Sequence, residues 1–370
     1  MNNKLLVNGE EAFPLIIDRI QKAEEEIIIS MFIWRDDSIG NQMAEAVINA
    51  AERDVRVSII KDKIGSIFEK EEENKKSFFH WKPEIRTYLS QKILSFLYFR
   101  YLDENHKGPE NPKLGQMQNI PKISLDIDKL RYDHSKYYLI DNKYLILGGM
   151  NIEDKELYDD KKNRKYFDYM VEIQNENDIE QFREIVVNDK QPNYSSPKIF
   201  YINNRDANVF EIKREILELL DRAERSIDIE MAYWGDKDVT NKIVEAADKG
   251  LDISIMVSKE SNLQNDFNMK TMSSILRRTD NAVKVYLSPR MVHSKFLCID
   301  KSILFFGSAN FNRQGLENLS ELNILIENNK EAINTWLAAR EKHLKECNLI
   351  LDYRELRYNK ILSFIERMYC

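Results

Sequence analysis

Apolar runs along this chain come in matched pairs. Residues 23–34, AEEEIIISMFIW, and residues 223–234, AERSIDIEMAYW, each pass from charged positions into a run of Ile, Met and Trp. Ala, Glu, Ile, Met and Trp recur in register between the two. Each run is followed by a helical pattern, MAEAVINAAERDV (43–55) and VTNKIVEAADKGL (239–251). Each helix then leads into a β-rich run, VRVSIIKD (55–62) and LDISIMVS (251–258). A last pair, KYYLID–KYLILGG and KFLCID–SILFFGS, predicts two hairpins with DNK and DKS as their turns.

Alternation of this kind predicts an α/β layer structure with helices on the sheet faces. Because the order repeats, the chain is expected to be one α/β unit duplicated. The expected halves are 1–190 and 196–370, separated by the polar stretch NDKQPNYSSPK (188–198). They differ in length between the second β-run and the hairpin: 72 residues from Asp62 to His134, but 35 from Ser258 to His293. The first half thus carries an insertion at about 66–122. It holds the charged run EKEEENKK (69–76) and the aromatic-rich segment EIRTYLSQKILSFLYFRYLDE (84–104), expected to be helical. That helix is either core packing or a surface that touches lipid. Residues 330–370 are expected to form C-terminal packing helices, with Leu351, Leu356, Ile361, Leu362, Ile365 and Met368 on one side.

The bulk properties then narrow the class. A net charge of −7 provides no global basic field to gather nucleic acid, although a local basic groove would be compatible with it. Cys298, Cys347 and Cys370 make an odd count with no framework spacing, which points to free thiols in a reducing compartment. No stretch approaches the ~20 apolar residues of a membrane span, and the N-terminus lacks a signal-peptide pattern. The expected location is cytoplasmic, with possible peripheral contact at a membrane through 84–104.

The hairpins carry the chemistry. Residues 133–141 read DHSKYYLID and residues 292–300 read VHSKFLCID. Seven residues past each Asp comes Gly-Gly-Met-Asn (148–151) or Gly-Ser-Ala-Asn (307–310). In a strand, residues two apart share a face, so His134 projects with Lys136, and His293 with Lys295. Asp141 and Asp300 fall at the strand ends, better placed to tie down structure than to touch a substrate. Packed about a pseudo-twofold axis, the two His-Lys pairs can face one another across a shared cleft. Two lysines with Asn151 and Asn310 can hold the oxygens of a phosphodiester. One imidazole can attack phosphorus while the other protonates the leaving oxygen. No metal or other cofactor is required, because lysines supply the positive charge. The small pairs Gly148-Gly149 and Gly307-Ser308 would let backbone approach the phosphate.

These residues resemble the phospholipase D superfamily, whose motif is His-x-Lys-x4-Asp followed by a Gly-rich Asn element. The resemblance covers nearly the whole chain. It implies a duplicated α/β sandwich, with a mixed sheet flanked by helices in each half and the active site at their interface. The first half is most similar to bacterial cardiolipin synthases, through NGEEAF (8–13), AEEEIIISMFIWRDDSIG (23–40), KDKIGS (61–66), DHSK (133–136) and GGMNIED (148–154). The resemblance also implies a carboxylate some 30 residues after each motif that hydrogen-bonds the imidazole and fixes its tautomer. Asp168 and Glu321, 34 and 28 residues after the histidines, stand there. Two departures stand out. Tyr166-Phe167-Asp168-Tyr169-Met170 replaces a usual Trp-Arg-Asp-x-His element. Asn310-Phe311-Asn312-Arg313-Gln314-Gly315 follows a pattern also seen in members acting on nucleic acids.

The implied function is a metal-independent phosphatidyltransferase or phospholipase D, with a phospholipid substrate and an alcohol or water acceptor. His134 would be the nucleophile and His293 the general acid/base. A nuclease is the first alternative, with Lys161, Lys162, Arg164 and Lys165 as its best basic patch. An inactive membrane-associated scaffold is the second, which the completeness of both motifs disfavours.

Overall fold

The matched runs 23–34 and 223–234 become strands buried on both faces. In the computed structural model, which describes residues 3–71, 77–79, 111–159, 165–189 and 197–369, two sheets pack face to face. The first contains β1 (Asn3–Val7), β2 (Glu26–Met31), β3 (Arg56–Lys61), β4 (Ile123–Asp126), β5 (Tyr137–Ile140), β6 (Tyr144–Gly148) and β7 (Tyr169–Ile173). Their spatial order is β1-β7-β6-β5-β2-β3-β4. The second sheet repeats it with β8 (Phe200–Asn204), β10 (Ser226–Met231), β11 (Asp252–Ser258), β12 (Lys284–Ser288), β13 (Lys295–Ile299), β14 (Ile303–Gly307) and β15 (Glu321–Glu327). Two short strands, β9 (Val209–Phe210) and β16 (Asn348–Ile350), extend its edges. In each sheet the β2–β3–β4 or β10–β11–β12 trio is parallel and the hairpin is antiparallel. The chain is therefore mixed α/β, as expected.

Burial explains the composition of the strands. Along β5, Tyr137 and Leu139 enter the core between the two sheets, while Tyr138 and Ile140 face the outer helices of their own half. Along β13, Phe296 and Cys298 enter the shared core, and Leu297 and Ile299 the outer one. The outer layers include α1 (Asn8–Gln21) and α2 (Ser38–Glu52) on one side. On the other lie α6 (Ile212–Arg222), α7 (Lys237–Asp248) and α8 (Asn265–Arg278), numbering the helices in chain order after α3 (Gly65–Glu71), α4 (Pro112–Asn119) and α5 (Glu176–Phe182).

The two hairpin turns form as the sequence predicts, with positive φ at Asp141 and Asn142 and again at Asp300 and Lys301. The Lys143 and Ser302 N–H groups close these turns onto the Ile140 and Ile299 carbonyls, a type I′ backbone whose twist matches its strands. Both aspartates cap the neighbouring strand. Asp141 accepts the N–H groups of Glu24, Glu25 and Glu26, at 2.8–3.0 Å. Asp300 accepts those of Glu224, Arg225 and Ser226 over the same range.

The C-terminal expectation needs correction. Residues 330–370 do not form a continuous packing face: α9 (Lys330–Leu344) ends, β16 joins the sheet edge, and α10 (Lys360–Tyr369) follows a short 3-10 turn. Among the side chains assigned to one packing side, Leu356 is buried, but Leu351, Ile361, Leu362 and Met368 are exposed. The strand pairing of β16 with β12 interrupts the helical period that would have aligned them. The aromatic segment 84–104 and Lys161, Lys162 and Arg164 lie outside the described residues. Lys165 is described, and its ammonium pairs with Glu10.

Candidate active site

The site forms where the start of each hairpin crosses to the other half. The His134 N–H donates to the Ser320 carbonyl at 2.8 Å, and the His293 N–H to the Phe167 carbonyl at 2.9 Å. Short parallel bridges, Asp133 to Ser320 and Phe167 to Val292, stitch the halves together there. Each imidazole is thereby set against a carboxylate from the opposite half. His293 Nδ1 lies 2.8 Å from Asp168 Oδ2, and His134 Nδ1 lies 3.1 Å from both oxygens of Glu321. The sequence places these acids after their own histidines; the fold exchanges them. Neither half holds a complete set.

The lysines sit beneath. Lys136 Nζ donates to the His134 carbonyl, and Lys295 Nζ to that of His293. Both are buried, and Lys295 is 4.0 Å from Asp168. Asn151 and Asn310 are buried as well. Among the described residues, the Oδ1 atom of each has no hydrogen-bond partner.

The small residues after each hairpin make room for protein. A Cβ on Gly148 would meet the Tyr169 carbonyl at 2.3 Å, and one on Gly307 the Leu322 carbonyl at 2.2 Å. A Cβ on Gly149 would fall 2.4 and 2.6 Å from the two Asp168 oxygens. Ser308 turns its carbonyl to His134 Nδ1 at 3.1 Å. Asp141 and Asp300 take no part, being held in their turns.

Three contributors escaped the sequence reading. Glu156, on the 3-10 turn Asp154–Glu156, is fully buried and brings Oε1 to 3.4 Å from His293 Nδ1. Its only signal was an acid five residues past Asn151, and Gly315 holds the matching place after Asn310. Phe32, from the matched MFIW run, sets its ring edge-on to His134 at 4.7 Å. Tyr166 lies across His293 at 5.2 Å, so the residue standing in the usual Trp position still supplies a ring.

These neighbours separate the two imidazoles. Burial, then the charges of Lys136, Lys295 and His293, hold His134 well below the usual imidazole range. Burial and Lys295 oppose protonation of His293 too, but the Asp168 and Glu156 carboxylates outweigh them and raise it. Burial lowers Lys136 to about 7 despite Glu321, and lowers Lys295 as well. It lifts Glu321 to about 8, with Lys136 opposing, and raises Glu156. An anion between the lysines favours their ammonium form. Glu156, Asp168 and His293 are also the one group among the described residues whose ligand atoms converge, within 4.8 Å of one another, as a metal site would need. The short His293–Asp168 bond already engages Nδ1.

Comparison with known proteins agrees with this geometry. The family model described as "Cardiolipin synthase, PLD-like domain" matches residues 16–189 and 216–343. A cardiolipin synthase of Geobacillus sp. (strain WCH70) is 25% identical over 374 residues, spanning 95% of this chain and 67% of that protein. Cardiolipin synthase B of Shigella flexneri is 23% identical, over 87% of this chain and 76% of its own length. Among solved structures, the phosphatidylserine synthase of Haemophilus influenzae Rd KW20 superposes with a TM-score of 0.68 at 13% identity, covering 99% of this chain and 92% of the other. With two matched halves and a family model spanning most of both, the chain belongs to the phospholipase D-like cardiolipin synthase family.

Proposed function

We propose that the protein transfers the phosphatidyl group of a phospholipid through a covalent phosphohistidine, using no metal. What supports this reading most is the pair of imidazoles, each tied at Nδ1 to a buried carboxyl group of the other half and biased toward opposite protonation states. The Ser308 carbonyl can only accept, so the His134 proton sits on Nδ1 and the Nε2 lone pair is available. His134 is the nucleophile, and its Nε2 forms the bond to phosphorus. As the ester P–O bond breaks, protonated His293 gives its proton to the departing oxygen. Neutral His293 then takes the proton of the acceptor hydroxyl. The acceptor oxygen bonds to phosphorus, and the P–N bond breaks to return His134. Lys136, Lys295, Asn151 and Asn310 hold the non-bridging oxygens. An alcohol acceptor makes the reaction a transfer; water makes it a hydrolysis.

The test is turnover of phosphatidylglycerol vesicles in EDTA, read by mass spectrometry for cardiolipin and phosphatidic acid, beside labelled single- and double-stranded DNA. Lipid turnover lost in His134→Ala supports the reading, and the product identifies the acceptor. Cleavage of DNA with no lipid turnover would overturn it.

A further inference from the structure

Helix α10 leaves its apolar side uncovered. Ile361, Phe364 and Met368, at spacings of three and four, form one stripe and are 72%, 58% and 63% exposed. The inner side is fixed: Ser363 is fully buried, the Phe267 N–H donates to Glu366 at 2.7 Å, and the Asn359 N–H to Asp266 at 2.6 Å. The exposed stripe is thus a feature of a docked helix. Among the described residues, no helix is long and apolar enough to cross a membrane.

Beside α10 lies a pocket of about 300 Å³ between α7 and α8. Lys237, Lys270, Arg278 and Arg367 line it with the hydroxyls of Thr240 and Ser274, and no carboxylate does. Among the described residues none of the four cations is in an ion pair; Arg278 donates only to the Asn241 amide. Four uncompensated cations on a chain of net charge −7 mark a local anion site.

The pocket also touches the chain that leaves the sheet beside the site. It reaches Gly235, just beyond the C-terminal end of β10, and Met231 of β10 pairs with Lys295 at the start of β13. Asn268 of α8 holds Trp234 N–H and the Ala232 carbonyl at 2.9 and 2.8 Å. Ala232 packs with Tyr166, the ring that lies across His293.

We propose that the outer face of α10 and this basic pocket together dock the protein on a bilayer bearing anionic phosphate headgroups. Ile361, Phe364 and Met368 enter the acyl boundary, while the four cations take a headgroup phosphate. The inference rests on the phospholipid reading above and assigns the contact to a different part of the chain from 84–104.

Co-flotation of the full chain with vesicles tests it, using phosphatidylcholine alone or mixed with phosphatidylglycerol. The wild type floats with the mixed vesicles, and added salt weakens the association. Lys270→Glu with Arg278→Glu lowers the partition by at least roughly five-fold per cation removed, and Phe364→Ser with Met368→Ser lowers it in both vesicle types. These variants keep wild-type turnover of a short-chain phospholipid below its micelle concentration, so their fold and site are intact. Partition within two-fold of wild type in both variants would overturn the inference. So would loss of a dimer, seen by light scattering in Phe364→Ser, with flotation unchanged. Failure of the catalytic reading appears separately: His134→Ala still floats, and a protein that floats without turning over any phospholipid retains the docking site but loses the proposed reaction.

Discussion

Gly149→Ala separates the orientation of His293 from the integrity of the fold. Gly149 does not have the left-handed φ that favours glycine, so alanine is acceptable to its backbone. The added Cβ would sit 2.4 Å from Asp168 Oδ2, where ordinary contact begins at 3.4 Å, so the carboxylate must retreat by about 1 Å. The His293–Asp168 bond of 2.8 Å then stretches beyond hydrogen-bonding distance. A hydrogen bond involving charged groups contributes roughly 1.5–3 kcal/mol, which at about 1.4 kcal/mol per tenfold predicts a 10- to 150-fold loss in kcat. The neighbouring Gly148→Ala fails differently. Its Cβ meets backbone, Tyr169 O at 2.3 Å and Met170 Cα at 2.8 Å, so it should cost roughly 1–3 kcal/mol of stability by overpacking. The second half suggests the rescue: Ser308 carries a Cβ at the matching place, and its acid is the longer Glu321. Gly149→Ala combined with Asp168→Glu should therefore recover part of the lost rate. The assay is kcat on phosphatidylglycerol beside thermal unfolding of each variant. A Gly149→Ala enzyme within three-fold of wild type, at wild-type stability, would refute the reasoning.

Other outcomes follow from the same geometry. Activity should need neutral His134 and protonated His293, so its acid limb lies well below the usual imidazole value of about 6.5 and its alkaline limb above it. Glu156→Gln should move the alkaline limb down and leave the acid limb in place; a pH profile that shifts at both limbs, or at neither, counts against it. With a nitrophenyl phosphodiester, whose leaving group needs no acid, His293→Ala should release one nitrophenol per chain and trap phosphohistidine, whereas His134→Ala should release none. Burial opposes ionisation of Asp300, but the N–H groups of Ser226, Glu224 and Arg225 prevail and hold its carboxyl low. That stability is present above the unfolded value of about 3.9 and is lost as pH falls through the lower folded value. Asp300→Asn should thus cost roughly 1–3 kcal/mol at neutral pH, with the gap in urea midpoints closing in acid. Finally, EDTA should leave turnover unchanged, and restoration of a chelated enzyme by a divalent ion would contradict the metal-free scheme.

The sequence by itself determined the duplication, the strands and hairpins and the two His-x-Lys pairs. These depend on local rules: side-chain period, β-branched content and turn residues such as Asp141-Asn142 and Asp300-Lys301. It also marked Asp168 and Glu321 as acids at the right distance along the chain. Which histidine each serves was decided by tertiary structure, because the strand starts cross between halves, and no spacing along one half encodes a partner in the other. Glu156 became visible only when the 3-10 turn carried it under His293. Gly149 likewise gained its meaning from the Asp168 carboxylate above it. At the C-terminus the helical period of apolar residues suggested packing. The fold instead spent those residues on a sheet-edge strand and a short helix docked by its polar side, leaving Ile361, Phe364 and Met368 facing outward. Periodicity says that a face is apolar; only the packing of the other elements decides whether that face is covered.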